Sequence, residues 1–91
     1  MNNFKLVEGE FTAADAKEIL LRLIEQKISF HNLKSFSHEV RYGVKDQHSL
    51  ERIEELNQTK EKLILLINQA QMDGDLLAIH SSIDVGVVKA K

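Results

Sequence analysis

From Ala13 to Tyr42 the chain runs without a glycine or a proline, and apolar residues recur at alternating steps of three and four. Nothing local stops a helix there, and that spacing gathers side chains on one face. About 30 residues at 1.5 Å rise give a helix roughly 45 Å long. Thr12-Ala13-Ala14-Asp15 marks its start. The threonine hydroxyl caps the first turn, and the acid three residues on suits the positive end of the helix dipole. Ala16, Ile19, Leu23, Phe30, Leu33 and Val40 form the seam, with Gln26 and Ser37 in two of its slots. The pattern is that of an amphipathic or coiled-coil helix. It predicts that this seam is the packed face.

A second helix is expected to start between Asp46 and Ser49 and run to about Asp73, with Glu51 in its first turn. Its seam is Ile53, Leu56, Leu63, Ile67 and Ala70, with Lys60 in one slot. Gly43 and Gly74 each follow a helical pattern, where a left-handed residue ends a helix. The link from Gly43 to Gln47 is short, so the helices are antiparallel neighbours. Gln26, Ser37 and Lys60 either set the register as buried polar residues or sit in a wet seam, Lys60 along its stem.

The tail reads as strand. Leu77, Ile79, Ile83, Val85 and Val87 are alternate residues, with Ser81 the polar member of that parity. Gly86 marks a bulge or a close approach. Phe4 to Val7 is a shorter strand, and Gly9 separates it from the first helix. The order is β-α-α-β, an α+β fold in which the terminal strands pair at the open end of the hairpin. Leu20, Leu21, Ile24, Ile28, Leu65 and Leu66 lie off the seams at that end, where the sheet is expected to cover them. A long tail strand beside a short first strand leaves an unpaired edge, and such edges invite another chain. A homodimer through Leu77, Ile79, Ile83, Val85 and Val87, or through a four-helix bundle, satisfies it. A tail folded back as a hairpin near Ser81-Ser82 gives a monomer instead.

Composition narrows the function classes. Twelve basic and 14 acidic residues give a net charge of −2, which disfavours a dedicated nucleic-acid binder. The absence of cysteine removes disulfides, thiolate metal sites and thiol nucleophiles. The longest apolar run, Leu63 to Ile67, falls far short of the ~20 residues of a membrane span. The first residues lack the pattern of a secretory leader. These features predict one cytoplasmic domain over residues 1–91, with no membrane association.

Three groups of residues carry chemical interest. Lys27, His31, Lys34, His38 and Arg41 form a basic stripe on the first helix, and Glu51, Glu54, Gln58 and Glu61 form an acidic one on the second. The simple reading is an interhelical ladder, since Lys27 with Glu61 and Lys34 with Glu54 match in an antiparallel hairpin. If the stripes diverge, the basic face is free for an acidic partner or a phosphate. Phe36, His38, Arg41, Tyr42 and Arg52 gather near the helix turn, and aromatics with arginines are typical of interface anchors. His31, His38, His48 and His80 lack the spacing of a shared metal site, and solvated or half-buried histidines account for them. His80 is a possible pH-sensitive contact. No phosphate loop, calcium loop, Ser-His-Asp signature or carboxylate pair is recognisable.

The sequence therefore points to a non-catalytic protein-interaction or assembly module without cofactor or metal, homo-oligomeric as a dimer, with an unidentified protein as a further partner. The alternative is a nucleic-acid-associated regulator using the basic stripe. A third reading is a small enzyme with a composite site at a dimer interface, using His31 or His38.

Overall fold

The computed structural model describes residues 1–90. β1 (Asn2–Phe11) leads into α1 (Ala13–Tyr42), α2 (Gln47–Asp73) and β2 (Leu77–Val85). The two strands form one antiparallel ribbon and the two helices a long hairpin.

The helix ends follow local chemistry. The Asp15 N–H donates to the Thr12 hydroxyl at 3.2 Å, as the capping pattern requires. Asp46 caps α2 in an extended conformation, and the Ser49 hydroxyl donates to its Oδ2 at 2.7 Å. Gly43 and Gly74 end the helices at φ 78° and 71°. A side chain is strained there, which explains glycine at both sites.

The ribbon differs from expectation. β1 reaches from Asn2 to Phe11, well beyond Phe4–Val7, and β2 is one continuous strand rather than a folded-back hairpin. The strands pair almost end to end, from Asn2 with Val85 to Phe11 with Leu77, so the expected overhang is absent. Leu6 is an extra residue at a bulge, since Lys5 opposes Ser82 while Val7 opposes Ser81. Phe4 and Val7 lie on opposite parities of a regular strand. The inserted residue resets that parity, so Phe4 opposite Ile83 joins the face that carries Val7, Ile79 and Phe11.

The core is small. Its buried apolar residues are Ala13, Ala16, Ile24, Leu56, Ile67, Ala70 and Ile79, three of them alanines. Most of it sits where the ribbon base meets the open end of the hairpin, with Ile24 and Leu56 further along the helices. Toward the turn the helices pack through smaller or polar groups, including the buried Ser35 and Ser49.

The packed face of α1 follows the expected seam only at its start, where Ala16 is buried and Ile19 half-buried; Leu23, Phe30, Leu33 and Val40 are not in it. α2 uses its expected residues: Leu56, Ile67 and Ala70 are buried, and Ile53, Lys60 and Leu63 half-buried. On α1 the residues against it are Ala13, Leu20, Ile24, Ile28, His31, Ser35 and His38. α1 therefore carries two stripes at helical spacing, about 100° apart around its axis. The hairpin takes a stripe that is apolar at Leu20, Ile24 and Ile28 and polar toward the turn, at His31, Ser35 and His38.

Candidate functional site

The second stripe of α1 lies open. Phe30, Leu33 and Val40 are 62%, 65% and 71% exposed, and Leu23 is 37% exposed beside the ribbon. Ile19 is half-buried at the ribbon base. The ribbon diverges from α1 toward its far end and leaves a groove of about 610 Å³. Leu6 and Ile83 form one wall, Leu23 and Phe30 the other, with Gln26, Lys27 and His31 at its margin. Phe4 and Val85, exposed on the ribbon, extend the apolar wall outward.

The chain is thin and extended. Its principal extents are 50 × 30 × 15 Å and its radius of gyration is 16.7 Å. A compact chain of this length has a radius near ~12 Å. Stable domains place at least two layers around one core, and here the ribbon meets α1 over only a few residues, so most of the hairpin is a single layer. The exposed area is 7363 Å², against about 5,400 Å² for a compact monomer of 10.4 kDa.

The expected oligomer residues divide. Ile79 is buried and Leu77 half-buried in the chain's own core, so the fold itself consumes them. Ile83 and Val85 are exposed on the ribbon, and Val87 is exposed beyond the end of β2. The sequence pattern placed the open surface on the tail and missed the larger part of it on α1. The signal was present: two apolar stripes on one helix exceed what a single partner helix covers.

The cluster at the turn also divides. His38 and Tyr42 lie in contact with ring centres 4.7 Å apart and planes tilted by 49°, and His38 Nδ1 lies 2.8 Å from the Val44 carbonyl. A carbonyl only accepts, so Nδ1 carries the proton and the ring staples the end of α1 to the turn. Arg52 is engaged by Glu55 at 2.8 Å. Phe36 and Tyr42 are both largely exposed. Phe36 stands about 200° around the helix from His38, on the opposite side. It borders a separate hollow with Asn32, Glu39, Lys45 and Leu50.

The expected charge ladder is absent among the described residues. Glu51, Glu54, Gln58 and Glu61 lie on the side of α2 turned away from α1 and are exposed. The ion pair that joins the helices is instead Lys60 with Glu25 at 3.4 Å. Lys60 is half-buried in the α2 seam and sends its ammonium outward along its stem. Lys27, Lys34 and Arg41 are without an ion-pair partner among the described residues.

Two other polar features are local. On the outer face of the ribbon Glu8 lies between Lys5 at 3.1 Å and His80 at 3.8 Å, all exposed. Within the helix interface His31 Nδ1 is buried without a hydrogen-bond partner, its ring edge-on to Phe30 at 5.3 Å. Among the described residues no group of three or more His, Asp or Glu side chains could hold a metal ion, and no helix is long and apolar enough to cross a membrane. Compared with protein-family models, curated proteins and solved structures, the chain matches none.

Proposed function

We propose that this chain is a non-catalytic assembly module that works as a homo-oligomer. The observation that carries the reading is the open stripe of α1, where large apolar side chains at heptad spacing face solvent beside an apolar ribbon. The excess exposed area, about 2,000 Å² over a compact monomer, exceeds the ~800 Å² per partner of a standard interface. The pocketed space is a groove between elements, and the polar clusters are either small or engaged in holding the fold. Light scattering across a range of concentrations tests the reading. Association into dimers supports it, and a monomeric mass at millimolar protein overturns it.

A second reading has its own observation. Because the acidic stripe of α2 turns away, Lys27, Lys34 and Arg41 form a basic line along α1 without ion pairs among the described residues. A nucleic-acid-associated regulator would use it for phosphates. Retention on a polyanion column that falls steeply with salt favours this reading, and passage at low salt removes it.

A further inference from the structure

The open stripe has a register of its own. In order along α1 it reads Ile19, Leu23, Gln26, Phe30, Leu33, Ser37 and Val40, with the exposed Val44 one step beyond in the turn. Laid antiparallel against itself about a point between Phe30 and Leu33, every layer matches in kind. Phe30 meets Leu33, Leu23 meets Val40, and Gln26 meets Ser37. The polar residues face each other and the apolar residues face each other. The neighbouring antiparallel register, shifted by one heptad, sets Phe30 against Gln26 and Ile19 against Ser37, which buries polar groups against apolar ones. Buried polar layers commonly fix register in this way.

We infer that the occupant of this surface is a second copy of the chain, packed antiparallel along α1 with a twofold axis between Phe30 and Leu33. The inference rests on the assembly reading above. In this arrangement Leu33 and Val40 of the second copy enter the groove between Leu23, Phe30 and the ribbon wall of Leu6 and Ile83. The bare half of each α1 thus meets the ribbon-flanked half of the other, and two single-layer chains become one two-layer body. A parallel pair would set bare half against bare half and leave both grooves unfilled. The twofold makes the contact self-complementary and closed, so it stops at two copies.

Charge adds a sign that can be measured. The same register places Lys27 of one copy near Lys34 of the other, on the basic flank of the seam. Like charges at a solvated flank weaken association modestly, and salt screens them. Association is therefore expected to strengthen with added salt, and Lys34→Glu to strengthen it at low salt.

The absence of native cysteine allows a clean test of geometry. Gln26→Cys and Ser37→Cys replace polar residues on the open stripe, so circular dichroism should match the parent chain. A disulfide needs Cα atoms within about 7 Å. In the antiparallel pair each variant alone keeps its two thiols about 16 Å apart along the helices. Each alone should stay uncrosslinked under mild oxidation, while an equal mixture of Gln26→Cys and Ser37→Cys chains forms a disulfide-linked dimer containing one of each. Self-crosslinking of each variant alone would show a parallel pair and overturn the geometry. A dimer by light scattering with no crosslink in the mixture would place the interface elsewhere and overturn it also. A monomeric mass for the parent chain would instead overturn the assembly reading on which the geometry stands.

Discussion

The two stripes of α1 invert the usual arrangement. The stripe packed on α2 contains Ala13, Leu20, Ile24, Ile28, His31, Ser35 and His38, while the open stripe contains Leu23, Gln26, Phe30, Leu33, Ser37 and Val40. In the half nearer the turn, from Phe30 onward, bulk and apolarity are greater on the outside. There the hairpin closes on His31, Ser35 and His38 and leaves Phe30, Leu33 and Val40 to solvent. The difference teaches that hydrophobicity by itself does not select the intramolecular face. Where one helix bears two candidate seams, the partner helix takes the one that fits its own shape, and the other is left for a further layer.

The comparison breaks most sharply at matched truncations. Ile24→Ala removes a buried side chain at the helix interface. It should cost about 2–4 kcal/mol of unfolding free energy, independent of protein concentration, as read by urea denaturation with circular dichroism. Leu33→Ala removes a side chain that is largely exposed in the single chain. Its effect should appear chiefly at high concentration, as a lost dimer and a thermal midpoint that no longer rises with concentration. At high dilution it should fall within about 0.5 kcal/mol of the parent. Equal losses from both variants at high dilution would mean that the open stripe is buried within one chain, and the contrast would collapse.

How much of this was legible in the sequence depends on whether the signal is local. Thr12, Gly43 and Gly74 mark helix ends because capping and left-handed backbone are properties of a few adjacent residues. The α2 seam was readable because that helix carries one dominant stripe. The β-α-α-β order followed from the short link and the alternation of Leu77, Ile79, Ile83 and Val85. The packed face of α1 was not readable, since periodicity reports that a stripe exists and not which neighbour covers it. β1 was read too short because Asn2, Asn3, Glu8 and Glu10 are polar on a ribbon with a solvated outer face. The bulge at Leu6 also interrupts its alternation. The acidic stripe precedes the α2 seam by two residues, about 200° around the helix, so it faces away from Lys27 and Lys34 whichever hand the hairpin takes; this was legible in the sequence, and the ladder reading missed it.

A smaller effect sharpens the contrast from within the packed stripe. His31 Nδ1 is buried there without a partner, and an unmet buried polar atom costs about 1–3 kcal/mol. His31→Leu removes that atom and keeps most of the side-chain bulk. Some of the gain is spent on imperfect packing, so a net stabilisation of about 1 kcal/mol is expected. A raised thermal midpoint checks it. A lowered one would mean that the imidazole contributes through its other nitrogen or its edge contact with Phe30.

The smallest effect concerns another polar residue of the helix interface. Ser49 is fully buried on α2, yet unlike His31 it has a partner, the Asp46 carboxylate at 2.7 Å. That hydrogen bond is the main cause holding the Asp46 carboxyl below its ordinary value, with Lys34, His38 and the His48 N–H adding to it. Because the folded group is depressed, its contribution to stability is present above the unfolded aspartate value, near pH ~4. It is lost as pH falls through the lower folded value. Ser49→Ala removes the hydroxyl, so the Asp46 titration followed by carboxyl NMR should move up toward the ordinary value. The charges of Lys34 and His38 should keep it from arriving fully. If the titration does not move, those charges and the backbone donor account for the shift. Ser49 would then join His31 as a poorly used polar residue of the helix interface.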